Sequence, residues 1–152
     1  MNEELRLYTF TNFMLSSIQQ GIQSGHAAVE LGMKCYREQM MLRTGTNWHT
    51  YHDWAVNWKT MVCLNGGNAQ ELKELVFFLC NADNIYPWCG FYESHEALDG
   101  ALTSVAIVLP ERIFKTASQL RNREDLSYLY PESFSDFELN LIDRLINTGL
   151  AR

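Results

Sequence analysis

The sequence predicts an α/β sandwich on a mostly parallel or mixed sheet, and three observations carry that expectation. Short apolar runs rich in branched residues alternate along the chain with stretches of helical periodicity. The run Leu102 to Leu109, LTSVAIVL, has the unbroken apolar character of a strand covered on both faces, so it belongs near the centre of the sheet. Residues 8 to 30, YTFTNFMLSSIQQGIQSGHAAVE, pass from an apolar run through a polar bend into an unusually long helical pattern. A working pocket is expected at that junction.

A chain of 152 residues, 47% of them hydrophobic, is long enough for one domain with a sizeable core. Its start, MNEELRLYTF, has neither a basic n-region nor an apolar h-region, and no apolar run reaches the roughly 18 residues of a membrane span. A soluble, cytoplasmic protein with no membrane partner is expected. The net charge of −6 opposes tight capture of a long polyanion, and no basic run offsets it. Cys35, Cys63, Cys80 and Cys89 lack CxxC spacing and fall inside helix or strand patterns, so they read as small buried reduced thiols rather than metal ligands or a disulfide frame.

Leu5, Leu7, Tyr8 and Phe10 read as a first strand that feeds Thr11 and Asn12 into the bend. In the helix that follows, Ile18, Ile22, Val29, Met33, Tyr36 and Met40 are three, four or seven apart and are expected to form its buried face, with His26 on the same side. Gly21 and Gly25 are expected to let that helix pack closely on the sheet. Its entrance, with free N–H groups, suits an anionic ligand. A short helix is expected near Tyr51 to Asn57, where His49 and His52 share a spacing of three but have no third metal ligand in view.

Thr60 to Leu64 reads as a buried strand closed by the turn Asn65-Gly66-Gly67. Asn68 with Glu71 forms a capping-box pattern opening a helix whose stripe is Leu72, Leu75, Val76, Leu79 and Cys80. The turn has no GxxxxGK[ST] and no lysine, so it is a tight connection rather than a phosphate loop. Ile85 to Tyr92 is a third strand with Pro87 near its start, Glu93 to Gly100 a polar loop, and Pro110 opens a helix with Ile113, Phe114, Ala117 and Leu120 on its apolar face. Arg121 to Tyr130 is polar and punctuated by Pro131. A last helix starts at Ser135, capped with Glu138, buries Phe137, Leu141, Ile142, Leu145 and Ile146, and ends near Gly149. It could pack on the domain, lid the pocket or meet a second subunit.

This order of elements, with QxxHAAVE at the first helix and a Pro-led strand ending in an acidic residue, resembles the type 2 peptidyl-tRNA hydrolases of bacteriophages, archaea and eukaryotes. The resemblance covers about residues 5 to 115. Its most specific pieces are Gln23, His26-Ala27-Ala28, Trp58 before the second strand, Pro87 to Glu93, and Gly100 to Pro110. It implies a four-stranded mixed sheet with helices on both faces over residues 1 to 115, and a homodimer; residues 116 to 152 lie outside the resemblance and are expected to form a C-terminal helical extension packed on the same domain. It also implies an esterase chemistry that needs no cofactor. Gln23 and Thr103 stand at the family's pocket glutamine and threonine, and Glu93 at its pocket aspartate, which makes these three the candidate catalytic residues. Asn12, Gln19, His26 and Ser94 are the candidate ligand-binding residues. The family's lysine, four residues before the glutamine, is Gln19 here, and Lys34 or Lys115 would have to stand in for it.

Cleaving an ester to a terminal ribose needs an activated water and a charge to meet the developing oxyanion. Glutamine supplies no charge. The expected function is therefore a protein that holds a nucleotide-like small molecule or a tRNA 3′ end without hydrolysing it, sequestering a nucleotide signal, with Trp48, Trp54, Trp58 or Tyr92 available to stack on a base. The alternatives are an active peptidyl-tRNA hydrolase and an interaction protein working through the C-terminal helix.

Overall fold

Strands β1 (Leu5–Thr11) and β4 (Leu102–Pro110) form the centre of a four-stranded mixed sheet, in the order β2-β1-β4-β3, with β2 (Met61–Asn65) and β3 (Trp88–Tyr92) at its edges. The structure is a computed structural model that describes residues 2–43, 45–122 and 133–151. β1 runs parallel to β2 and antiparallel to β4, and β3 is antiparallel to β4. The two central strands are buried almost throughout, as their unbroken apolar runs require. The second strand is not the buried one that its apolar run suggested. Met61 and Asn65 are exposed because β2 is an edge. The chain after the last helix protects that edge, with Ala151 donating its N–H to Cys63 O and Asn65 donating to Gly149 O.

Helix α1 (Ser17–Leu42) crosses one face of the sheet, accompanied by α2 (Thr46–Asp53) and a π-helical turn at Trp54–Trp58. Helices α3 (Ala69–Leu79), α5 (Glu111–Arg121) and α6 (Asp136–Asn147) cover the other face, and a short α4 (His95–Leu98) lies in the loop read as merely polar. The helix near Tyr51 therefore starts earlier than its sequence suggested and closes in a wider turn. From residue 123 on, the polar stretch before and including Pro131 lies outside the described residues. α6 packs on the domain, burying Phe137, Leu141, Ile142 and Leu145 against α5 and the sheet.

The largest departure from expectation concerns α1. Ile18, Ile22, Val29, Met33, Tyr36 and Met40 are exposed, and the sheet-facing side is Gln20, Gln23, Ser24, Ala27, Ala28, Leu31 and Cys35. The helical period was legible but the face was not, because small and polar residues bring the helix close to the sheet. Gly21 and Gly25 do not serve that packing, since a Cβ on either would meet nothing within 4 Å. The tight approach is at Gly32, where a Cβ would lie 2.6 Å from Tyr51 Oη. Smaller corrections follow from exposure: Leu120 is 40% exposed, Cys80 is exposed and Cys63 half-buried, so only Cys35 and Cys89 are the buried thiols expected.

Candidate functional site

Beneath the first half of α1 the sheet presents hydroxyls rather than hydrocarbon. Thr9 and Thr11 alternate onto the α1 side of β1, and Ser104 faces Thr11 across the β1–β4 ladder. Gln20, Gln23 and Ser24 come down on them from the helix, and all of these side chains are buried. Thr9 Oγ1 donates to Ser24 Oγ at 2.8 Å, and Gln20 Nε2 donates to Leu15 O at 2.8 Å, which ties the bend to the helix. The Ser104 hydroxyl is wholly buried with no protein partner among the described residues.

Thr103 reaches this layer through a bulge. Phe91 pairs with Ser104 but Tyr92 pairs with Leu102, so Thr103 is the extra residue on β4 and turns toward α1 instead of alternating away from it. Its Oγ1 donates to Gln23 Oε1 at 2.8 Å, and Gln23 Nε2 donates to Glu93 Oε2 at 2.9 Å. One directional chain thus joins β4, α1 and the end of β3. The other oxygen of Glu93 accepts the Ser94 N–H at 3.0 Å, and the Glu93 N–H is held by Ala101 O at 2.9 Å. The Gln23 and Ser94 donors, helped by His26, hold the Glu93 carboxyl below its ordinary range, so it is ionised at neutral pH. The buried end of the chain is a hydroxyl and the solvent end a carboxylate.

The other candidates divide. Ser94 abuts the site and caps α4, its Oγ accepting the Ala97 N–H at 3.2 Å. His26 is exposed rather than core-facing, with its ring 5.1 Å from that of Phe91. Asn12 donates its backbone N–H to Thr103 O at 3.1 Å, but its side chain is occupied accepting the Met14 N–H at 2.9 Å. Gln19 is exposed and closes a capping box with Ser16, whose Oγ accepts the Gln19 N–H while Gln19 Oε1 accepts the Ser16 N–H. Part of the entrance of α1, which its sequence suggested as an anion site, is therefore capped by its own residues. The Ser-x-x-Gln spacing could have revealed this.

Neither substitute lysine reaches the site. Lys34 donates to Trp88 O at 2.8 Å, and Trp88 pairs with Ile107, about 13 Å along β4 from Thr103 at strand spacing. Lys115 bonds Glu111 at 2.9 Å on α5, across the sheet. Of the aromatics proposed for stacking, Trp54 is buried with its Nε1 on Thr60 O, and Trp48 packs with Tyr36, Tyr51 and His52. Tyr92 is exposed but pairs with Leu102 and shares its face, on the α3 side of the sheet, so its ring lies on the side opposite α1; Phe91, paired with Ser104 and 5.1 Å from the His26 ring, is the aromatic on the α1 side.

A groove of ≈ 760 Å³ lies elsewhere, between α3 and α6 over Gly66 and Gly67. Its polar groups are engaged locally: Glu71 caps α3, and Arg144 lies over the Phe78 ring at 4.4 Å. Among the described residues, no chain of side-chain hydrogen bonds across separate elements like the one at Glu93 is found there, so Gln23, Glu93 and Thr103 remain the better candidate site. No helix among the described residues is long and apolar enough to cross a membrane. No family model matches the chain, and no curated protein matches it.

Proposed function

We propose that this chain is a divergent relative of the type 2 peptidyl-tRNA hydrolases that binds the nucleoside end of a ligand, a nucleotide or an RNA 3′ terminus, without cleaving it. The observation that carries the reading is the chain Thr103 to Gln23 to Glu93, which fixes a carboxylate at the protein surface through two elements distant in sequence. An ionised carboxylate with its oxygens held in place accepts the vicinal hydroxyls of a ribose. The Phe91 and His26 rings, 5.1 Å apart on the α1 side of the sheet, offer π-faces for the base. Hydrolysis is disfavoured by the same features: a carboxylate with a lowered pKa is a weak general base at neutral pH, and neither Lys34 nor Lys115, among the described residues, stands by to meet an oxyanion.

The test is to denature freshly purified protein, search the supernatant for nucleotides, and titrate the protein with mononucleotides and a CCA trinucleotide. Micromolar binding that Glu93→Gln and Thr103→Val each weaken about tenfold or more supports the reading, a loss of one charged or buried hydrogen bond. An inert protein against the whole panel overturns it. The assembled trio also keeps an active hydrolase as a second reading, decided by incubation with peptidyl-tRNA. If only the charge is missing, Gln19→Lys raises the rate.

A further inference from the structure

On the face of the sheet away from α1, alternate positions of β1 carry Arg6, Tyr8 and Phe10. Tyr8 and Phe10 belong to the core, so an arginine in the same row needs a reason. Arg6 stands in the wall of a cavity of ≈ 190 Å³ between the β2 side of the sheet and helix α5. Val62 and Leu64 of β2, Phe114 and Ala117 of α5 and Leu145 of α6 give this cavity an apolar lining. Leu150, bridged to Leu64, borders it at the sheet edge.

Three polar groups share this hydrocarbon. The Arg6 guanidinium lies 4.2 Å from the centre of the Phe114 ring, and Glu4 accepts only its Nε, at 2.9 Å. Arg121 donates Nε to Ile146 O and Nη2 to Leu145 O and Thr148 O, which leaves Nη1 without a partner among the described residues. The Tyr8 phenol is buried within electrostatic reach of both guanidiniums. Burial pushes it above its ordinary pKa against their pull, so at neutral pH it is a neutral hydrogen-bond donor. Among the described residues no Asp or Glu lines the cavity, and two guanidiniums outnumber the Glu4 carboxylate bound to one of them. The cavity is therefore locally positive in a chain of net charge −6. An apolar cavity left empty forfeits packing contacts, and guanidiniums set over hydrocarbon give up hydration. A small anion with an apolar body offsets both.

We infer that this cavity binds a small aromatic monocarboxylate of the benzoate or phenylacetate type, its ring against Phe114 and Val62 and its carboxylate among Arg6, Arg121 and Tyr8 Oη. The size follows from the volume, since a cavity of about 150 Å³ holds a benzene ring. One ring with a carboxylate fills ≈ 190 Å³, and a nucleotide or a long acyl chain does not fit. The head group follows from the donors, because a planar carboxylate matches the fork of a guanidinium. The ring follows from the wall, where Arg6 already lies on an aromatic face that a second ring can join. Glu93 and its partners lie under α1, on the opposite face of the sheet, so the inference does not depend on what that site binds.

Titration of the isotopically labelled full chain with benzoate and phenylacetate, followed by NMR, tests the site. At least one acid is expected to bind saturably with a Kd of about 1 mM or tighter, with Overhauser contacts from its ring to Phe114 and the Val62 methyls. Methyl benzoate, which keeps the ring and loses the charge, binds about tenfold more weakly or worse, and inorganic phosphate does not displace the acid. Tyr8→Phe weakens binding about threefold to tenfold, and Arg6→Met about tenfold or more. Val62→Phe, with unchanged circular dichroism, fills the cavity and abolishes binding. The inference is overturned if neither acid saturates the protein by about 10 mM, or if methyl benzoate binds as well. Displacement by phosphate, contacts only elsewhere on the surface, or undiminished binding to folded Val62→Phe overturns it too.

Discussion

On one face of the sheet, α3, α5 and α6 press Leu72, Ile113 and Leu141 onto Phe10, Val105 and Ile107; on the other, the first half of α1 sets Gln20, Gln23 and Ser24 over Thr9, Thr103 and Ser104. The first arrangement excludes water and contributes most of the hydrophobic free energy, at about 1.5–3 kcal/mol for each large side chain buried. The second gains little from burial, since each buried hydroxyl or amide must find a partner to break even. Its value lies in orientation, because Gln23 is held at both ends and can hold Glu93 in turn. One face secures the fold, and the other aims a carboxylate.

The contrast is broken most strongly by removing hydrocarbon. Leu72→Ala, at a fully buried position, should lower stability by about 2–5 kcal/mol in urea unfolding, whereas Ile18→Ala on the outer side of α1 should change the stability of the folded monomer by less than about 0.5 kcal/mol. A comparable loss for Ile18→Ala would mean that the outer side of α1 is covered within one chain.

The hydrocarbon face also carries a buried carboxylate. Tyr86 Oη donates to Glu138 Oε1 at 2.6 Å, and Arg112 pairs with the same carboxylate at 3.1 Å. Burial, reinforced by the Glu138 charge, pushes the Tyr86 phenol up from its ordinary value. A folded-state pKa above the unfolded one contributes stability that is present below the unfolded value and lost as pH rises through the folded one. Stability should therefore decline above about pH 10, and Tyr86→Phe should flatten that decline while lowering stability near neutrality by about 1 kcal/mol. Equal slopes in the two proteins would contradict the bond.

The smallest effect should have the opposite sign. Ser104→Ala removes a buried hydroxyl without a partner, so it should leave stability unchanged or raise it by up to about 1 kcal/mol. A clear loss would show that the hydroxyl is bonded after all.

Much of this organisation was legible in the sequence, and the exceptions have physical causes. The runs of the two central strands, the Asn68 and Ser135 capping boxes and the α6 stripe all emerged where local chemistry and burial agree. At α1 they disagree: the apolar spacing named a helix but pointed to its outer side, because hydrophobic periodicity cannot tell a buried face from an exposed apolar one. Gln23, Glu93 and Thr103 were singled out by resemblance and not by pattern, and nothing local reveals that Thr103 is a bulge residue turned toward the helix. Gln19 came by the same route, and its place as the capping partner of Ser16 is written in a four-residue spacing.

The most direct test of the account is where a nucleotide binds, read by NMR on isotopically labelled protein titrated with a CCA trinucleotide. The account predicts shifts at the Gln23 side-chain amide and the backbone amides of Glu93, Ser94 and Thr103, all lost in Glu93→Gln. Shifts confined to Gly66, Gly67 and Asn147, in the groove between α3 and α6, would contradict it.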